Sequence, residues 1–224
     1  MFKFLHHLDF QLCRSKILRF ISYLNPNWYK TKIMYEQLQV YLNSFVKLDE
    51  EAALEIERKF VKRNFRKGSF LAIEGEVTKE AYFLIKGCCR FYHVKNEKAV
   101  THWFSFENTF VTSLRSFTTQ TPSVEYIQAI ENCIVLSLKY DELNSLYAKY
   151  QQWERLGRLI MEDFSRQMLD KLTALQTLTA KQRYIMLLQS EPRIIQRIPL
   201  NHVSSYLGIS GETLSRVRSE IRIL

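Results

Sequence analysis

The stretch LGISGETLSRVR, residues 207–218, holds the side chains of this chain best suited to chemistry. Arg216 carries a planar guanidinium that can donate two parallel hydrogen bonds, and guanine offers O6 and N7 as matching acceptors. Glu212, four residues earlier, can accept from a cytosine amino group. Thr213, Ser215 and Ser219 are short hydroxyls that reach bases or phosphates, and Arg218, set to one side, suits a phosphate. Gly211 keeps the same surface low. That is recognition chemistry, and catalytic chemistry is missing. The chain has no G-x-S-x-G, no P-loop, no H-E-x-x-H and no Cys/His pairing at useful spacing. It does not read as an enzyme. Cys13, Cys88, Cys89 and Cys133 match no zinc or iron–sulfur spacing. Adjacent Cys88 and Cys89 in a strand would point to opposite faces. Buried, reduced thiols are expected, and with them a cytoplasmic location.

These groups need a scaffold that turns them outward. On a helix, Leu214, Val217 and Ile221 share one side, while Gly211, Glu212, Ser215, Arg216 and Ser219 share the other. Ahead of them Pro199 can open a first helix, whose inner face is Val203, Tyr206 and Leu207. Gly208 falls where the chain must reverse, at positive φ. Ile209 can fill the space between the helices, and Ser210 is a good N-cap for the second. Helix, glycine turn and capped helix suit a helix-turn-helix entering a major groove; a small helical bundle with a solvated polar face is the alternative. Charge agrees with the first. Residues 179–224 carry seven Lys/Arg against three acids, residues 34–178 carry nineteen of each, and the whole chain is +9.

The remaining chain divides by pattern. Residues 34–62 read as helical, with Leu38, Leu42, Phe45, Leu54, Ile56 and Phe60 on apolar faces. Asp49-Glu50-Glu51 is a charge cluster at a helix start. From residue 64, short β-rich runs alternate with glycine and asparagine turns, which implies an antiparallel sandwich or barrel. Strand-like runs recur at 126–129 and 134–138, and helical character returns at Tyr140. Trp153, Leu156, Ile160, Phe164, Met168, Leu172, Leu175 and Leu178 then form one long stripe. Either the β domain covers that stripe or the same helix of a second chain does, and pairing is favoured because the period is close to a heptad. Gly157 could allow close backbone approach or be a tolerated surface glycine. Thr179 is a candidate N-cap for the next unit. The fold class is α+β: an antiparallel, jelly-roll-like β-roll sensor over 34–150, a long dimerisation helix over 151–178, and a C-terminal helix-turn-helix domain of winged-helix type over 179–224. No apolar run approaches the roughly 18 residues of a membrane span. The basic segment 1–33 is read as a start-site artefact or loose extension, with a helix lying on membrane or nucleic acid as the alternative.

With these residues in view, the chain resembles the Crp/Fnr family of bacterial transcription regulators over roughly 34–224. The similarity is best in IPLNHVSSYLGISGETLSRVRSEI, where Gly208, Ser210, Glu212, Thr213 and Arg216 match without a gap. The resemblance implies a cyclic-nucleotide-binding-like β-roll, a homodimer, double-stranded DNA as partner, and contact with RNA polymerase. It implies base reading by Glu212 and Arg216. Gly211 departs where nucleotide-responsive members often carry another base-contacting arginine, and little chain follows Ile221 to form a wing. The effector cassette departs further. Thr112-Ser113 stands where cyclic-AMP binders have Gly-Glu, and Ser123-Val124 where they have Arg-Ser/Thr. Burying a phosphate without a paired cation is costly, so cyclic AMP is not expected. Ser113, Arg115, Ser116, Ser123 and Tyr126 are candidate lining residues for an unknown small-molecule effector, with Arg115 a substitute cation; the hydroxyls are equally turn and strand residues. The iron–sulfur members' cysteine cluster is absent. A haem role for His93 or His102 stands against an ordinary surface or core histidine, and no cofactor is expected. A binding module without DNA recognition and a membrane-associated sensor using 1–33 are the rival functions.

Overall fold

A computed structural model describes residues 26–222. The expectations for residues 1–25 lie outside the described residues. What precedes Met34 is partly helical: α1 runs Pro26–Asn43, across the expected boundary. Helix α2, Glu50–Lys59, starts where Asp49 accepts the Ala52 N–H at 2.8 Å. Glu50 and Glu51 lie in its first turn and Arg58 and Lys59 in its last, each sign suited to the helix dipole. The acidic cluster is thus a helix cap.

Eight strands follow: β1 Val61–Phe65, β2 Phe70–Ala72, β3 Glu80–Lys86, β4 Cys89–Lys95, β5 Lys98–Ser105, β6 Phe110–Val111, β7 Tyr126–Ala129 and β8 Cys133–Lys139. A short helix α3, Leu114–Thr119, lies between β6 and β7. The strands form two antiparallel sheets, ordered β1-β8-β3-β6 and β2-β7-β4-β5. This is the expected β-roll. Its period-two alternation is visible in β3: Tyr82 and Leu84 enter the core between the sheets, whereas Phe83 packs with the helices outside. Cys88 and Cys89 obey the same rule. Cys89 lies in the roll's interior with Cys133, and Cys88 in a separate core shared with the C-terminal unit. All three are free and buried.

Helices α4, Tyr140–Lys149, and α5, Gln151–Thr177, close the roll. Then come α6 Ala180–Ser190, α7 Arg193–Arg197, α8 Leu200–Leu207 and α9 Gly211–Arg222. Thr179 caps α6 in a capping box, accepting the Gln182 N–H at 3.3 Å while its own N–H donates to Gln182 Oε1 at 2.9 Å.

Gly157 is explained within the chain. A Cβ there would fall 2.8 Å from Tyr147 Cζ and closer still to its hydroxyl. The glycine therefore lets α4 lay a half-buried tyrosine against α5. Gly157→Ala gains about 1 kcal/mol of helix propensity but overpacks a stiff ring at about 1–3 kcal/mol. A net loss of stability, with a melting point lower by a few degrees, is expected, and a smaller loss in a Tyr147→Phe background. Equal losses in both backgrounds, read by thermal denaturation, would break this account.

Candidate nucleic-acid interface and sensor cavity

The C-terminal turn is made as its residues dictate. Gly208 ends α8 at φ 66°, in the left-handed region. Its N–H donates to Ser205 O at 3.1 Å and that of Ile209 to Ser204 O at 3.0 Å, which satisfies the last carbonyls. Ser210 Oγ accepts the Thr213 N–H at 3.1 Å and so caps α9. Leu214 and Val217 are buried, in one core with Val203, Leu207 and the half-buried Ile209 and Ile221. Gly211, Glu212, Ser215, Arg216 and Ser219 are all exposed, and Thr213 and Arg218 flank them half-buried. Nothing lies within 4 Å of a Cβ placed on Gly211. The outer face of α9 is therefore open, small and polar, with one long guanidinium near its middle.

This unit is fastened to the outer face of the roll. Arg197 donates to both carboxylate oxygens of Glu131, at 2.9 and 2.7 Å, and to both of Glu107, at 2.7 and 2.8 Å. Burial pushes the Glu107 carboxyl up, but Arg197 and the backbone N–H groups of Glu107 and Gly87 outweigh it and hold it at about 2. The Thr101 N–H on β5 donates to Ser205 Oγ of α8 at 2.9 Å. Phe104 of β5 meets Tyr206 of α8 at 5.4 Å between ring centroids. Lys171 of α5 donates to the His102 carbonyl and lies 3.6 Å from the centre of the Tyr206 ring. Burial pulls its ammonium down to about 7. His202 of α8 is pulled down to about 4, by burial and then by the charge of Arg90.

Inside the roll the cassette positions are occupied by the protein itself. Ser113, Ser116 and Ser123 are buried. Ser116 Oγ accepts the Thr78 N–H at 2.8 Å and donates to Thr121 O at 2.6 Å. Ser123 Oγ lies 3.0 Å from Ser113 Oγ and accepts the Glu125 N–H at 3.2 Å. Arg115 is exposed on α3, and Tyr126 stacks on Tyr92 at 5.2 Å. The expected lining is thus corrected: Ser116 satisfies backbone groups on either side of α3, Ser123 bonds the Glu125 backbone and the Ser113 hydroxyl, and Arg115 offers no buried cation. A cavity of about 460 Å³ lies between the roll, α5 and the C-terminal helices. Tyr41, Phe91, His102, Phe110, Glu125 and Phe164 line it.

His93, His102 and Glu125, on β4, on β5 and just before β7, meet in this region, and their ligand atoms all lie within 4.8 Å of one another. His102 Nε2 is 2.7 Å from Glu125 Oε2, and the two imidazoles stack at 4.6 Å. Burial pushes the Glu125 carboxyl up, but His102, the Ser113 hydroxyl and His93 outweigh it and keep it below the usual range. In the sequence the two histidines lie nine residues apart, as separate signals. Their meeting depends on a β-bulge: Phe91 pairs with Trp103 and Tyr92 with Thr101, which leaves His102 as the extra residue. No periodic pattern carries that signal.

The α5 stripe is split. Trp153 and Leu156 are buried within their own chain, packed with α2 residues Ala52 and Ile56 and capped by a bond from Trp153 Nε1 to Ala52 O. Ile160 and Phe164 are half-buried. This corrects the assignment of Trp153 and Leu156 to a surface between chains, because α2 and α4 already cover that end, whereas Ile160 and Phe164 stay partly open. Further along, Leu172 is 52% and Leu175 41% exposed, with Met161 at 38% and Leu169 at 63% beside them. Met168 is half-buried between.

Residues 62–150 match the cyclic nucleotide-binding domain family. Among solved structures, the chain is similar to FixK2 from Bradyrhizobium japonicum, at 20% identity over 73% of this chain and 85% of that one, with a TM-score of 0.64. It is similar to the c-di-GMP responsive global regulator CLP of Xanthomonas campestris, at 15% identity over 78% and 92%, with a TM-score of 0.62. It is also similar to the catabolite activator protein of Thermus thermophilus, at 17% identity over 81% and 86%, with a TM-score of 0.51. At these identities the likeness is one of fold, and it extends beyond the roll into the helices. No curated protein sequence matches the chain.

Lys171, falling from 10.5 to about 7, and His202, falling from 6.5 to about 4, are both harder to protonate when folded. The unfolded chain therefore binds more protons between those limits, and stability rises with pH inside each window. Lys171→Met should flatten the upper window and His202→Gln the lower one. Urea midpoints measured across both windows check this, and parallel profiles for variant and parent would refute it.

Proposed function

We propose that the chain is a dimeric, DNA-binding transcription regulator of the Crp/Fnr type, acting in the cytoplasm, whose β-roll senses something other than cyclic AMP. The observation that carries this reading is the free outer face of α9. Arg216 stands exposed among Gly211, Ser215 and Ser219 while Leu214 and Val217 anchor the opposite side. Small residues around one long donor let a helix approach base edges in a major groove. Glu212 and Thr213 sit in the first turn, where a recognition helix meets bases, and Arg218 reaches the phosphate rim. The domain order is a β-roll over 34–150, a connecting helix over 151–178 and a helix-turn-helix unit over 179–224. The fold likeness to regulators from three bacteria supports that order.

Dimerisation follows from what α5 leaves uncovered. Met161, Ser165, Met168, Leu172 and Leu175 are spaced by four, three, four and three residues, the heptad seam of a two-helix coil. Paired α5 helices would hold two α9 helices about 34 Å apart, one turn of DNA, on a near-palindromic site. RNA polymerase is the partner that a regulator of this type addresses once bound. The sensor reading rests on charge. Where a cyclic phosphate would need a buried cation, the chain places Ser113, Ser123 and the Glu125 carboxylate. No helix of the described residues is long and apolar enough to cross a membrane.

Binding to a duplex selected from a random pool should weaken steeply with added salt. Arg216→Ala should cost about 1–3 kcal/mol and relax one base position, and unchanged discrimination among site variants would remove Arg216 from that role. No binding even at low salt would favour the interaction module that does not read DNA. Leu172→Glu should convert the dimer to monomer in analytical ultracentrifugation, while a retained dimer would move the interface off α5.

A further inference from the structure

We propose that His93, His102 and Glu125 form a binding site for one divalent transition metal ion inside the β-roll. The three ligand atoms already lie within 4.8 Å of one another, on the segments that line the cavity against α5. Each side chain is set as a ligand. His93 Nδ1 lies 2.8 Å from Val124 O, and donating its proton to that carbonyl leaves the lone pair on Nε2. His102 Nε2 is buried and has no hydrogen-bond partner, although Glu125 Oε2 is 2.7 Å away. The contact is close but off the direction of a hydrogen bond. A buried ring nitrogen that touches a half-buried carboxylate without an aligned hydrogen bond is poorly satisfied by the protein alone and well placed to hold an ion.

Two imidazoles and one carboxylate select zinc-class divalent ions over calcium and magnesium, which prefer oxygen alone. Ligand atoms around a tetrahedral zinc stand about 3.4 Å apart, given bonds near 2.1 Å. Shifts of about 1 Å would bring these three into place. Three protein ligands leave a fourth position, which opens to the cavity lined by His102 and Glu125.

The site is also wired to the C-terminal unit. His102 is the extra residue of the β4–β5 bulge, its carbonyl accepts from Lys171 of α5, and the N–H of its neighbour Thr101 holds Ser205 of α8. Drawing the His102 ring toward a metal pulls on both attachments. This regulatory step rests on the DNA-binding reading above, whereas metal binding does not.

The test is a titration of the untagged full chain with Co²⁺, read by visible ligand-field absorption, with Zn²⁺ as competitor. One Co²⁺ per chain is expected, displaced by Zn²⁺, without the intense near-ultraviolet band of cobalt–thiolate bonding. His102→Gln and Glu125→Gln should each weaken binding at least tenfold, with circular dichroism and melting like the parent. Undiminished affinity in both variants, or a thiolate band from the cysteines, overturns the site. Saturating Zn²⁺ should change affinity for the selected duplex at least fivefold in the parent and not in His102→Gln. A normal cobalt titration with DNA affinity blind to Zn²⁺ overturns the coupling alone. A parent chain that takes the metal yet binds no DNA at low salt overturns the DNA reading and upholds the site.

Discussion

From Thr101 to Ser105, strand β5 is covered on both faces, and the two halves of the molecule meet through it. Its interior side brings His102 into the roll, and its outer side supplies Phe104 and the Thr101 N–H to α8. A strand buried on two sides cannot slip by one residue without sending every side chain to the wrong face. Pairing with β4 fixes the register, except at the one bulge where an extra residue is admitted. That irregularity is local, but the cavity, the long helix and the C-terminal unit all touch it.

The arrangement makes sense of the charges. Arg193 and Arg197 answer Glu107 and Glu131 across the junction between roll and C-terminal unit. The Arg197 pairs are half-buried and bidentate, the geometry in which ion pairs contribute more than at an open surface, whereas exposed Arg193 reaches Glu107 by one bond. The positive charge that remains outward on the C-terminal unit includes Arg216 and Arg218. So part of the basic surplus read from composition serves internal docking, and only the rest is free to meet a polyanion.

Legibility in the sequence tracked how local the cause was. Gly208, Ser210 and Thr179 act through bonds to residues three or four positions away, and the turn, the caps and both faces of α9 followed from them. Cys88 and Cys89 were legible because strand alternation is strict. The long stripe of α5 was readable as apolar, but not what covers it, since α2 lies about a hundred residues earlier in the chain. Gly157 answers to Tyr147 on the preceding helix, a contact of packing that its own turn does not announce. The serines of the cassette were identified as hydroxyls with two readings, and only the partners of Ser116 and Ser123 decide between them. His93 and His102 became a pair because of a bulge, which leaves no trace in composition or period.

The shared core has one more consequence. Cys88, Phe104 and Phe106 from the roll lie among Tyr184, Leu187, Ile194, Val203 and Leu207 from the C-terminal unit. Neither part owns that apolar surface by itself. The last four helices are therefore no bead on a string, and cutting them free would leave both pieces with a greasy scar seeking new cover. A rearrangement of this protein must trade one cover for another, by rolling or sliding along β5, and full detachment carries a cost that grows with every ring uncovered.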